Sequence, residues 1–214
     1  TEQNRALNES LADRDLLMQE LHHRTGNNLA LIVALIRMSR SQAASDETRE
    51  VLRGLETRVG GLSKAHELMQ RATDTSDLDL REMLDEVARN AERAFSGERQ
   101  DIEIELLCPE IKLDNKLAVD IGLIVGELIT NAYKHAFHGR EAGCITIEVT
   151  TPEDGLTLRV SDDGVGLPED AARPERSNSL GWRMIRTLTF QHEATLKVES
   201  DGGLVTEIRF PAQG

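Results

Sequence analysis

The stretch Gly126-Glu127-Leu128-Ile129-Thr130-Asn131-Ala132-Tyr133-Lys134-His135-Ala136-Phe137 decides how the second half of this chain is read. Glu127, Asn131 and Lys134 stand at spacings of four and three, so on a helix they form one polar strip among mostly apolar neighbours. A carboxylate and an amide on one strip suit coordination of Mg2+ by oxygen, and a lysine beside them can neutralise phosphate charge. Ordinary amphipathicity produces the same pattern, so the next stretch matters. Ser161-Asp162-Asp163-Gly164-Val165-Gly166 closes a predicted strand and opens a loop. Glycines at alternate positions let a backbone turn sharply or approach a ligand, and an acidic side chain at a strand end can accept a hydrogen bond from an amino group. Further on, Ser179-Leu180-Gly181 directly precedes a predicted helix, whose first N–H groups can hold phosphate.

Around these stretches the hydrophobic pattern is α+β. A helix over 80–95 leads to a strand alternating Ile102, Ile104 and Leu106, then to a long helix over about 115–136. Strands at 144–151 and 156–162, a helix at 179–191, and strands at 194–200 and 204–210 complete a mixed sheet with its helices on one face. The first part of the chain reads differently. Apolar residues at helical spacing (Leu7, Leu11, Met18, Leu21, Leu29, Ile32, Leu35) predict one long helix over 3–43. A second stripe, Leu52, Leu55, Val59, Leu62, His66 and Met69, predicts another over 47–71. Ser45-Asp46-Glu47 supplies a polar turn and a helix N-cap between them, giving an antiparallel hairpin. One hairpin buries little, so two copies are expected to pair into a four-helix bundle, a homodimer. The polar run from Arg71 to Asp79 reads as a linker, which places the domains at 1–72 and 78–214.

Inside the first helix lies Leu21-His22-His23-Arg24-Thr25-Gly26-Asn27-Asn28. On a helix of 3.6 residues per turn His23 is rotated by about 200° from the core-facing Leu21, so its imidazole points outward. Glu20 and Asn27, three before and four after, share its face. A carboxylate there can orient or deprotonate the ring so that the opposite nitrogen attacks phosphorus. A solvated helix face carrying an idle histidine fits the same residues.

Taken in order, these stretches resemble the two-component sensor histidine kinases, in particular the subfamily whose phosphoacceptor lies in an HRxxN motif, here His23-Arg24-Thr25-Gly26-Asn27. Arg58, Leu62, His66-Glu67 and Met69 of the second helix resemble it too. Residues 127–137 look like its N box, Asp162 to Gly166 like its first glycine box and Ser179 to Gly181 like its second. The resemblance implies a dimerisation and phosphotransfer hairpin followed by a Bergerat (GHKL-type) ATP-binding sandwich. It implies autophosphorylation of His23 by ATP and transfer to an aspartate on the receiver domain of a response regulator. The alternative of the same architecture is a histidine phosphotransferase or response-regulator phosphatase. By the resemblance, Asn131 binds Mg2+ and Glu127 assists at the metal or γ-phosphate. Lys134 and His135 face the phosphates, Asp162 reads the adenine amino group with Thr206 in support, and residues 167–178 form an ATP lid. Gly164, Gly166, Ser179, Leu180 and Gly181 belong to the nucleotide boxes. Two residues depart from the pattern: Gly26 stands where lysine is common, and Trp182 where a smaller aliphatic residue is usual.

Composition bounds the rest. A formal charge of −13 at pH 7 repels nucleic-acid backbones and anionic membranes, so neither is an expected partner. No apolar run approaches the roughly 18–20 residues that cross a bilayer, and a cytoplasmic location is expected. The first residue is Thr rather than Met, so a sensor domain is expected before it. Cys108 and Cys144 lack metal-ligand spacing and are expected as buried small hydrophobes rather than a disulfide or zinc site.

Overall fold

The computed structural model describes residues 25–71, 77–95, 101–167, 173–177, 179–200 and 202–212, and the chain divides into two units, Thr1–Thr75 and Ser76–Gly214. In the first unit, helix α1 (described over 25–42) and helix α2 (Asp46–Arg71) are joined by a tight turn. The cap is the expected one: Ser45 Oγ accepts the Thr48 N–H at 3.1 Å, satisfying one of the first-turn donors that α2 cannot pair internally. Glu56 of α2 is buried and ties the helices together, with Arg37 Nε at 2.6 Å and Arg40 Nε at 3.4 Å from its carboxylate oxygens. A carboxylate can be buried at such a position because the two guanidinium groups offset its lost hydration.

The second unit runs β1 (Asp77–Asp79), α3 (Leu80–Phe95), β2 (Asp101–Leu107), β3 (Lys112–Asp114), α4 (Asn115–Asn131), a π-helical turn (Ala132–Ala136), β4 (Ala142–Thr150), β5 (Gly155–Asp162), a 3-10 turn (Pro174–Arg176), α5 (Leu180–Gln191), β6 (Thr195–Ser200) and β7 (Leu204–Pro211). Five strands form one mixed sheet in the order β2-β4-β5-β7-β6, with β2 and β4 parallel and the other neighbours antiparallel. Alternation sorts its faces. Ile145, Ile147 and Val149 of β4, Leu156, Leu158 and Val160 of β5, and Ile208 and Phe210 of β7 are buried on one side, where α3, α4 and α5 pack. Each such aliphatic side chain contributes about 1.5–3 kcal/mol by leaving water. Glu103, Glu105, Arg159 and Arg209 occupy exposed positions on the other side. The result is a two-layer α/β sandwich, as expected.

The structure departs from expectation in three details. Asp77–Asp79, placed in the linker, is a short strand pairing antiparallel with Lys112–Asp114. Leu78 alone is buried between two aspartates, and three residues are too few to show alternation in a polar run. The helix expected to run to 136 is α-helical only to Asn131 and then widens into the π turn. Cys108 is buried, but Cys144 is only half-buried because it sits on β4 out of phase with the buried Ile145. Ile32 and Leu35 of the α1 stripe are exposed in the single chain, which agrees with a stripe that one hairpin cannot cover.

Candidate nucleotide site

Three separated stretches converge on the C-terminal end of α4. Asp114 starts that helix by accepting the N–H groups of Lys116 and Leu117 through Oδ1 at 2.9 and 3.3 Å. At the other end Glu127 is 1% exposed, and a Cβ built on Gly181 would overlap its Oε1 and Cδ, with Cγ 2.9 Å away. Only a glycine at the start of α5 leaves room for that carboxylate. Ser179 caps α5, its Oγ accepting the Trp182 N–H at 3.5 Å. One turn beyond Glu127, Asn131 carries an amide whose Nδ2 is buried without a hydrogen-bond partner. The π turn then carries Lys134, half-buried, and His135, exposed. Single π turns within α-helices occur frequently at functional sites.

The loop after β5 meets the same helix end. The carbonyl of Ala136, left over where helical pairing stops, accepts the Val165 N–H at 2.8 Å. Gly164 lies so close that a Cβ there would overlap the Ala136 carbonyl oxygen. Gly166 takes φ 65°, a conformation that costs glycine nothing. Asp162 is fixed from both flanks, since its Oδ1 accepts N–H groups from Gly164 at 3.0 Å and Leu204 at 3.2 Å. That leaves Oδ2 for a ligand. Burial pushes the Asp162 carboxyl above the ordinary carboxylate range; the two backbone hydrogen bonds pull against this, and the neighbouring Asp163 adds to it.

Thr206 is 2% exposed, and its register partner on β5 is Val160. Val160 and Asp162 are two apart on one strand, so Thr206 lies on the same covered face as Asp162. Leu180 is exposed at the start of α5, whereas Trp182, one of the two departures, is buried. Among the described residues no group of three or more His, Cys, Asp or Glu side chains could hold a metal ion, and no helix is long and apolar enough to cross a membrane.

The structure thus brings together Glu127 with Gly181, and Asp162 with Gly164, Leu204 and the face of Thr206. Asn27 and Gly26 lie on α1 in the other unit. Glu20, His22, His23 and Arg24 lie outside the described residues, as do the side chains of Arg58, Leu62, His66, Glu67 and Met69. Sequence reasoning missed Ser200, whose Oγ accepts the Leu167 N–H at 2.8 Å and donates to the Gly203 carbonyl at 3.0 Å. The Gly202-Gly203 pair announced a turn there, but not that the turn would hold the loop opening at Leu167. It also missed Arg140, which binds Asp163.

Comparison with known proteins explains the convergence. Residues 20–95 match a family described as histidine kinase, and residues 116–214 match one described as histidine kinase-, DNA gyrase B-, and HSP90-like ATPase. The solved histidine kinase domain of the EL346 blue-light activated histidine kinase from Erythrobacter litoralis is 30% identical, with a TM-score of 0.68 over 92% of this chain and 94% of that one. The chain belongs to the histidine kinase family. Among curated histidine kinases, sensor histidine kinase PdtaS of Mycobacterium tuberculosis (strain ATCC 25618 / H37Rv) is 31% identical over 196 residues. That match covers 91% of this chain and 37% of PdtaS. Blue-light-activated histidine kinase 2 of Erythrobacter litoralis (strain HTCC2594) is 32% identical over 204 residues, covering 92% of this chain and 57% of the relative. This histidine kinase chain therefore spans less than two thirds of either. The first family match extends to residue 95, although α3 packs with α4 in the second unit.

Proposed function

We propose that this chain is the core of a sensor histidine kinase that transfers the γ-phosphoryl group of ATP to its own His23 and then to an aspartate of a response-regulator receiver domain. The observation that carries this reading is the meeting of three nucleotide-box stretches at one helix end. There α4 packs Glu127 against Gly181, and the π turn that follows it offers the Ala136 carbonyl to the loop of Asp162. In the proposed site Asp162 Oδ2 accepts the adenine amino group beside Thr206. Asn131, Lys134, His135 and the first turn of α5 at Ser179, Leu180 and Gly181 receive the phosphates. Glu127 assists at the γ-phosphate end.

The donor set fits magnesium. Asn131 would hold it through its amide oxygen, one turn from the buried Glu127 carboxylate, leaving further positions to phosphate oxygens and water. Bound there, the ion would neutralise charge on the phosphates. In the transfer itself an imidazole nitrogen of His23 forms a bond to the γ-phosphorus as the bond to the β-γ bridging oxygen breaks, and ADP leaves. A carboxylate oxygen of the receiver aspartate then takes the phosphoryl group from the histidine. Glu20 and Asn27, at helical spacing from His23, would orient the ring.

Residues 1–72 would serve as the dimerising phosphotransfer hairpin and 78–214 as the ATP-binding domain, in the cytoplasm. The exposed Leu31, Ile32, Leu35 and Met38 of α1 and Val51 of α2 support a second copy, since one hairpin leaves them in water. Incubation with labelled ATP and Mg2+ tests the reading: the label should survive base and be lost in acid, as phosphohistidine is. An acid-stable label, or none on a chain that binds ATP, would overturn it. Light scattering of the purified chain at a monomer mass would overturn the dimer.

A further inference from the structure

The proposed adenine contact depends on where Asp162 points, and one of the two peptide groups that hold it is itself held by a side chain. The Asp163–Gly164 peptide offers its N–H to Asp162 Oδ1 at 3.0 Å, and its carbonyl oxygen receives the Arg140 guanidinium. In a trans peptide these groups point opposite ways, so a guanidinium holding the oxygen fixes the direction of the hydrogen. Arg140, this peptide and the Asp162 carboxylate form a chain of hydrogen bonds in which the cation polarises the amide into a better donor. Arg140 is itself placed by the turn that follows the π segment, its N–H donating to the Phe137 carbonyl at 3.1 Å.

We propose that Arg140 is a positioning residue of the nucleotide site, acting through the Asp163 carbonyl to hold Asp162 for adenine. This rests on the reading of Asp162 as the adenine contact. Arg140 also has an ion pair with the Asp163 side chain, Nη2 to Oδ2 at 3.4 Å, but these side chains are 41% and 51% exposed. At 3.4 Å that pair is also the longer of the two contacts and exposed pairs contribute little, so the carbonyl contact carries the positioning. The Asp163 carboxylate has a separate duty, accepting the Cys144 N–H through Oδ1 at 2.8 Å.

Calorimetric titration of the 214-residue chain with ADP and with GDP, which carry the base without a transferable phosphoryl group, tests this. Arg140→Ala should weaken ADP about 3- to 10-fold, a contribution in the range of one ordinary hydrogen bond, and leave GDP unchanged. Arg140→Lys, which keeps a cationic donor, should recover part of the loss. Asp163→Asn, which removes the ion pair but keeps both the carbonyl and an acceptor for Cys144, should stay within about twofold of the parent. ADP binding unchanged in Arg140→Ala would overturn the proposal. So would an equal loss for both nucleotides with a lowered melting temperature, or Asp163→Asn matching Arg140→Ala. A parent chain that binds ADP no better than GDP overturns the adenine reading itself, and this proposal with it.

Discussion

The Glu127 carboxylate occupies the space that any side chain at position 181 would need: a Cβ on Gly181 would overlap both Oε1 and Cδ. A helix from one side of the site and a helix from the other are thus fitted to each other through one acid and one missing methyl group. The atoms in the way are the end of a side chain, so Gly181→Ala can be accommodated by moving Glu127. The fold should survive at a cost of about 1–3 kcal/mol, typical of overpacking. The displaced carboxylate should lower phosphorylation by up to about 100-fold, as a misplacement near 1 Å can. In a Glu127→Ala background the same substitution should cost almost nothing further, measured by denaturant melts in a double-mutant cycle. Additive losses would show the two residues to be energetically independent.

Asn131 has no structural partner for its buried Nδ2, so its amide is poorly explained by packing alone. Asn131→Ala should therefore leave the melting temperature close to the parent while lowering the rate of phosphoryl incorporation by about 100-fold or more. A rate near the parent's at saturating ATP and Mg2+ would remove Asn131 from the site.

His22 and His23 are adjacent, and on helical spacing they are separated by about 100°, so one incoming phosphate cannot face both. His23 has Glu20 and Asn27 at spacings of three and four; His22 has Gln19 and Gly26, with no carboxylate. His23→Ala should lose all base-stable label, and His22→Ala should keep a substantial fraction. Mass spectrometry locating the phosphoryl group on His22 would overturn the choice.

The legibility of this protein in its sequence follows the range of the interactions involved. The Ser45 cap, the alternation of Ile145, Ile147 and Val149, and the start of α5 at Ser179 are local, and spacing alone reveals them. Thr206 is joined to Asp162 by the resemblance alone, because its place on the same face physically needs a strand register that residues 204–210 do not reveal. The strands Asp77–Asp79 and Lys112–Asp114 stay hidden because each has one inward residue between charged ones. The π turn leaves no trace in propensity, since Ala132 to Ala136 reads as ordinary helix. Arg140 escaped notice because its partner is a backbone carbonyl in a loop far along the chain, and a carbonyl has no sequence signature.

Asp162 joins a cost in stability to a use in binding. Burial raises its folded pKa above the ordinary value of 3.8, so the folded chain takes up a proton more readily than the unfolded one. The stability attached to this group is fully present below the unfolded pKa and is lost as pH rises through the folded pKa. At neutral pH the ionised carboxylate therefore weighs against folding. Asp162→Asn keeps an Oδ1 for the Gly164 and Leu204 N–H groups and removes the buried charge, so it should raise the melting temperature at pH 7. The gap between variant and parent should narrow as the pH falls and close below 3.8, where the parent carboxyl is protonated in both states. Binding should move the other way. The new amide NH2 takes the place of Oδ2 and faces the adenine amino group donor to donor, so ATP affinity should fall about 10- to 100-fold. A variant less stable than the parent at pH 7, or a gap that widens in acid, would show that the two backbone hydrogen bonds outweigh burial. Unchanged ATP affinity would take Asp162 out of the adenine site altogether.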